Sequence, residues 1–202
     1  RGRTTPAGAP AGVVRPRDAD GAPDGIELAS RAVQIRLARP AEFEDLAELT
    51  VSAFEGIAGS GDLGDYADTL RDVADRAARA VVLVAVDDTG LLGGVTYVPD
   101  PANPYAEDLR RGDVGIRMLA VAPAAQGRGV GRALTRACVE RARAQGAARV
   151  SLHSTPWMTV AHRLYGSMGF VRTPERDVDV SSDLRLMAFV LDLADAPGTT
   201  LG

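Results

Sequence analysis

The chain is 202 residues long and weighs 21.1 kDa, with 46% hydrophobic and 25% charged residues, the make-up of one globular domain plus a tail. Its 23 basic side chains face 27 acidic ones, a formal net charge of -4, which argues against a chain that lives by gripping nucleic acid. Every basic residue is Arg, so phosphate-loop and Schiff-base lysines are excluded, and one Cys with two His leaves no intramolecular disulfide and predicts no metal site.

Residues 1–33 hold five Gly, four Pro and seven Ala among scattered charges, too little apolar surface to offset chain entropy, and predict a disordered N-terminal tail. That stretch lacks the apolar core of a secretory signal, and no run approaches the ~20 apolar residues of a membrane span. A cytoplasmic protein with no membrane partner is expected. Val33, Ile35 and Leu37 alternate with polar neighbours as a half-buried strand over 33–38 requires. Pro40 opens a helix over 40–54, with Glu42, Glu44 and Asp45 in the N-terminal turn, where the helix dipole favours them. Gly56, Gly59, Gly61 and Gly64 mark a connection to a second helix over 66–78. Residues 80–98 read as a hairpin about Asp88-Thr89-Gly90. A loop rich in Pro and charge covers 99–113. There follow a strand over 116–122, a helix over 129–145, a strand over 149–153, a helix over 159–167 and strands over 170–173 and 184–192. The order β-α-α-β-β-β-α-β-α-β-β describes one mixed α/β domain over 34–193, with 194–202 as a C-terminal tail.

The segment richest in chemistry runs from Met118 to Gly146. A strand ends at Val121-Ala122, Pro123 turns the chain, and Gln126-Gly127-Arg128-Gly129-Val130-Gly131 leads into a helix. Small residues let backbone N–H groups approach an anion, and the helix N-terminus adds unpaired donors and partial positive charge. Together they suit a pyrophosphate; the plainer alternative is a helix start built small for packing. The glycines at 127, 129 and 131 do not follow the dinucleotide spacing, and the next strand ends in His153 and Ser154 rather than an acid.

Leu119-Ala120-Val121-Ala122-Pro123 followed by Gln126-x-x-Gly129-x-Gly131 resembles the acetyl-CoA-binding motif of the GCN5-related N-acetyltransferase (GNAT) superfamily. Downstream, Ala161-x-x-Leu164-Tyr165-x-x-x-Gly169-Phe170 is similar to a second signature of that family. The resemblance spans roughly 34–193. It implies a mixed, mostly antiparallel central sheet flanked by helices, and an acetyl-CoA-dependent N-acetyltransferase in which an amine attacks the thioester directly in a ternary complex. The backbone of Leu119, Ala120 and Val121 is then expected to pair with the pantetheine arm. The Gln126 turn and the amides of Gly127, Arg128, Gly129, Val130, Gly131, Arg132 and Ala133 are expected to hold the pyrophosphate, with Arg128 and Arg132 reaching phosphate oxygens.

By the same resemblance Tyr165 donates a proton to the departing thiolate, since a phenol's pKa of about 10 lies above a thiol's ~8.5; its alternative is a core aromatic. Two family positions differ. Met158 stands where many members have Asn, and the strand 113–118 lacks the Glu that serves many as base. Asp113 and Glu55 are the candidate bases, with Asp62 and Asp65 behind them and a water relay as the alternative. Simple alternation sets Ile116, Met118 and Ala120 on one strand face and Arg117, Leu119 and Val121 on the other. Arg117 reads equally as an anion ligand or a structural ion pair. Cys138 reads as core, His153 as a satisfied strand end, His162 as an outer-face residue, and Trp157 as a pocket cap or packing. The expected acceptor is a small-molecule or peptide amine, and the family admits a homodimer. The rival from another class is a module that binds acyl-CoA as a sensor without useful catalysis.

Overall fold

In the computed structural model the described residues are 32–57, 63–181 and 184–193. The tails expected over 1–33 and 194–202 lie almost wholly outside them, as does Asp62. The elements, in chain order, are β1 (Gln34–Leu37), α1 (Phe43–Glu55), α2 (Tyr66–Arg71), α3 (Val73–Arg79), β2 (Val81–Asp87), β3 (Gly90–Val98), β4 (Asp113–Val121), α4 (Val130–Gln145), β5 (Arg149–Ser154), α5 (Thr159–Ser167), β6 (Val171–Arg172), β7 (Val178–Asp179) and β8 (Arg185–Asp192). Seven strands form the order β1-β2-β3-β4-β5-β8-β6, and β7 adds to β8. The β4–β5 pair is parallel and the other pairs are antiparallel. This is the mixed, mostly antiparallel sheet that the family resemblance implied. Among the described residues no helix is long and apolar enough to cross a membrane.

Alternating side chains divide between two layers. On one side Leu83, Val95, Tyr97 and Ile116 pack under Leu134 and Cys138 of α4. On the other, Val82 and Val84 meet Leu46 of α1 and Val73 of α3. The helix expected over 66–78 is broken. Asp72 leaves helical geometry (φ -78°, ψ 67°), and its side chain accepts the backbone N–H of Asp75 at 2.9 Å, capping α3. A short side-chain acceptor competes with the helix for its own backbone, and here the cap prevails. The break leaves the Leu70 carbonyl to accept from Nη2 of Arg76, a guanidinium fully enclosed between α3 and the sheet.

Strand alternation also fails within β4. Thr96 pairs with Arg117 but Gly94 pairs with Ala120, so β4 carries one residue more than β3. Met118 takes φ +53° at this bulge. An extra residue reverses every side chain beyond it. Met118 therefore packs with Val51 and Leu70 beneath α1 and α2, while Leu119 and Val121 pack on the Ile116 side. This overturns the simple grouping of Met118 with Ile116. Gly93 makes the close approach feasible, because a β-carbon there would stand 2.5 Å from the Ala120 carbonyl oxygen.

Candidate active site

Strands β4 and β5 pair only from Asp113↔Arg149 to Ile116↔Leu152. Beyond that point β5 continues with β8, through His153↔Ala188 and Ser154↔Met187, while β4 follows β3. The two central parallel strands part at the bulge, and among the described residues the edge of Leu119–Val121 that faces β5 has no strand partner there. An open sheet edge inside a fold is a ready template for an extended, amide-bearing ligand.

At the far end of β4 lies the glycine turn. Gly127 and Gly129 hold φ +76° and +81°, conformations glycine adopts at little cost. A β-carbon at either would meet nothing within 4 Å, so packing is not what demands glycine here. Gly129 caps α4 with no side-chain bond, leaving the first helical amides, those of Val130, Gly131 and Arg132, without intrahelical partners. The amide of Ala133 donates to the Gly129 carbonyl at 3.0 Å and that of Arg128 to the Ala125 carbonyl at 3.4 Å, so neither is free as the sequence suggested. Gly131 sits against Leu164, 3.4 Å from where its β-carbon would be. The two arginines of the turn are already engaged. Arg128 pairs with Asp87 at 2.7 Å, and Arg132 donates to Ser167 Oγ at 2.6 Å. The Asp87 carboxyl is held down at about 2 by hydrogen bonds from the Thr89 side chain first, then from Arg128 and the Thr89 amide. Both arginines brace the turn, one to the β2–β3 hairpin and one to α5. Gln126 is exposed.

The parted strands open into a cavity of about 330 Å³. Phe54 of α1, Tyr66 of α2, Leu119 of β4 and Leu186 of β8 give it apolar walls, and Tyr165 of α5 lines it too. The Tyr165 ring is 4% exposed and packs against Phe170 and Phe189 at centroid separations of 5.8 and 6.0 Å. It is thus both core aromatic and cavity wall. Burial, aided by Cys138, pushes its phenol well above the ordinary value, so it carries its proton throughout the neutral range. Cys138 is core, its thiol pushed up to about 12 by burial. Two further polar atoms on residues lining the cavity, Thr155 Oγ1 and Trp157 Nε1, are buried with no hydrogen-bond partner. Orphaned polar groups are costly and usually mark a place where a ligand or water completes the bonding.

The candidate bases are not brought here. Asp113 has a fully buried side chain at the closed end of β4, paired with Arg149 at 2.7 Å and Arg176 at 2.8 Å. It ties strands together and does not line the cavity. Glu55 lies on a separate open hollow beside Glu48 and Arg71. Asp65 stands before α2 and makes no side-chain cap bond. Besides Tyr66 and Tyr165, the ionisable groups among the described residues that line the cavity are Arg117, Glu107 and His153. Arg117 is an ion-pair residue: Nη2 contacts Glu107 Oε1 at 2.8 Å and Nη1 donates to the Tyr105 carbonyl at 3.1 Å. Glu107 comes from the charged loop before β4, where no periodicity or motif distinguishes it from its neighbours. His162 turns inward instead of outward, stacking 5.0 Å from Phe189, with Nε2 3.1 Å from Ser154 Oγ. Burial lowers its pKa.

Comparison with known proteins bears on this architecture. The family model described as "Acetyltransferase (GNAT) family" matches residues 43–170. A protein named mycothiol acetyltransferase from Renibacterium salmoninarum is 37% identical over 91 residues, which cover 45% of this chain and 26% of its own length. One of the same name from Sanguibacter keddieii is 35% identical over 144 residues, covering 69% of this chain and 44% of its own. The chain thus matches less than half the length of these curated relatives. A Salmonella typhimurium protein solved with its cofactor acetyl-CoA shares the fold at TM-score 0.58 and 22% identity, over 85% of this chain and 99% of that one.

Proposed function

The chain belongs to the acetyltransferase (GNAT) family, and from that premise we propose that it moves an acetyl group from acetyl-CoA to a primary amine by direct attack in a ternary complex. One observation carries the proposal. The parting of β4 from β5 joins an amide-rich anion cradle at one end to a cavity lined by Tyr165 at the other. The residues fit the co-substrate: glycines at 127 and 129 face open space, and free amides are what a pyrophosphate needs. Gly127, Gly129, Val130, Gly131 and Arg132 would hold the pyrophosphate through backbone N–H groups, and the Leu119–Val121 edge would hold the pantetheine arm. Arg128 and Arg132 act by bracing the turn. When bound, acetyl-CoA supplies an activated thioester; the chain supplies position, a dry site and proton transfer. A free N–H on the Leu119–Val121 edge stabilises developing negative charge on the acyl oxygen. Tyr165 gives its proton to the leaving sulfur. The name of the curated relatives supports a small-molecule acceptor over a peptide.

The test has two arms. Calorimetric titration with acetyl-CoA should give binding that Gly129→Glu abolishes, because a carboxylate at that position repels the phosphates. Tyr165→Phe removes only the hydroxyl, and should lower kcat by about 10²–10⁴ with affinity for acetyl-CoA unchanged. Binding without transfer to any of a panel of amines would instead favour the sensor alternative, and no binding by the unaltered protein would refute both.

A further inference from the structure

His153 is fixed by two neighbours. Its Nε2 lies 2.9 Å from the carbonyl oxygen of Arg176. A carbonyl only accepts, so Nε2 carries the ring proton and the neutral ring leaves Nδ1 bare. Nδ1 faces Glu107, whose Oε2 stands 3.7 Å away. The other carboxylate oxygen is taken by Arg117 Nη2 at 2.8 Å. With the ring neutral, two lone pairs confront one another on the cavity wall, one proton short of an ion pair. A proton given up by an amine bound in the cavity satisfies both acceptors.

The surroundings hold this opposition in place. Asp108, the residue after Glu107, has φ +43°, a turn conformation that Asp tolerates better than most non-glycine residues. Arg176 holds it, with Nε 3.2 Å from Asp108 Oδ2 and Nη2 on the Asp108 carbonyl. One residue thus fixes both partners: its carbonyl orients the His153 ring, and its guanidinium sets the loop that presents Glu107. The remaining ionisable groups on the cavity and the adjoining pocket are Arg117 from β4, Tyr105 from the loop, Tyr66 from α2 and Tyr165 from α5. Asp108 and Asp113 face Arg176.

We propose that Glu107 and His153 form the proton acceptor for the attacking amine, with Arg176 and Arg117 as positioning residues. This rests on the acetyl-transfer function above. As nitrogen bonds to the acyl carbon, one N–H bond breaks, its electron pair stays on nitrogen, and the proton passes to the Glu107–His153 pair by way of Glu107, whose side chain is 26% exposed against 2% for His153, and comes to rest on Nδ1. The imidazolium faces the Glu107 carboxylate and releases the proton to water at the exposed side of Glu107. The electron pair of the breaking C–S bond leaves with sulfur, which takes the proton of Tyr165, and solvent restores the phenol. The charge count closes without a metal or further reactant.

The first test needs no substrate. With only two histidines in the chain, ¹⁵N spectra of the imidazole rings are simple, and His162→Gln assigns them. The expected spectrum of neutral His153 is the Nε2–H tautomer; an Nδ1–H tautomer overturns the proposal, since no lone pair then faces Glu107. The second test uses His153→Gln, which can still donate to the Arg176 carbonyl but takes no proton, and Glu107→Gln. Both should bind acetyl-CoA as the unaltered protein does and lose about 10²–10⁴ of kcat near pH 7. The deficit should shrink as alkaline pH neutralises the amine in bulk. A variant that folds, binds and transfers at the unaltered rate overturns the proposal. Absence of transfer by the unaltered protein refutes the function instead.

Discussion

Replacing Asp113 with Asn separates a structural role for this carboxylate from a catalytic one. The side chain is completely buried; Oδ1 accepts from Arg149 Nε at 2.7 Å, and Oδ2 meets Arg176 Nη2 at 2.8 Å and the Arg110 amide at 3.2 Å. Arg149 is 35% exposed, so its contact is screened and contributes at most ~1 kcal/mol. Arg176 is only 3% exposed, and removing one partner of a buried pair costs about 3–5 kcal/mol. Arg176 keeps Asp108, and Asn retains one acceptor, which places the loss near the lower end, about 3 kcal/mol. That is about a 10²-fold rise in the unfolding constant. With a urea slope of about 2 kcal/mol per molar, the midpoint falls by about 1.5 M. Urea unfolding followed by circular dichroism reads this directly. Acetyl transfer, measured cold where the variant stays folded, should remain within several-fold of the unaltered rate. A stability loss under ~1 kcal/mol would refute the buried-pair reasoning; a folded variant with a 10²-fold lower rate would give Asp113 a part in the chemistry, directly or through its contact with Arg176.

Two further outcomes follow from the same contacts. The Glu42 carboxyl is held down to about 2, chiefly by the hydrogen bond from Arg36, with burial opposing and the Arg39 amide assisting. A carboxyl lowered by folding stabilises above its unfolded pKa of about 4.3 and ceases to as pH falls through its folded value. The stability difference between the unaltered protein and Glu42→Gln should therefore be flat above about pH 4.5 and disappear toward pH 2; unfolding curves across that range giving a constant difference would contradict it. Gly93→Ala places a carbon 2.5 Å from the Ala120 carbonyl oxygen and 3.2 Å from the Val121 Cα. Backbone must move, so the expected stability loss is ~1–3 kcal/mol. Because the displaced segment is the free edge of β4, acetyl-CoA affinity should fall as well. Unchanged affinity by calorimetry would show that the edge does not hold the pantetheine arm.

Several elements were legible because their signals are local. The α4 helix carries its buried residues at helical spacing and ends at Gly146, which takes φ +75°. The β2–β3 hairpin turns where Asp88-Thr89-Gly90 demands it, with the Asp87 side chain accepting the Thr89 amide. Two positive-φ glycines lie in the turn before α4, so a single stretch of chain announces the proposed cradle of backbone amides. The break at Asp72 escaped because helical periodicity continues across it and only the cap bond to Asp75 reveals the choice. The two-residue strand β7 is too short to show a period of its own.

The proton-transfer half of the site is of another kind. Glu107, His153 and Arg176 lie in a loop, at a strand end and before a short strand, and no spacing rule links them. The face that each β4 residue presents likewise depends on the bulge at Met118, which arises from how Gly93 and Gly94 pair with Ala120 and Val121. Composition and local periodicity by themselves determined a mixed α/β domain, and two contiguous motifs carried the family resemblance and the proposed anion cradle. Which acids are enclosed by arginines, and which oppose a histidine in the cavity, was decided by tertiary structure alone, because those charges find their partners only once distant strands have met.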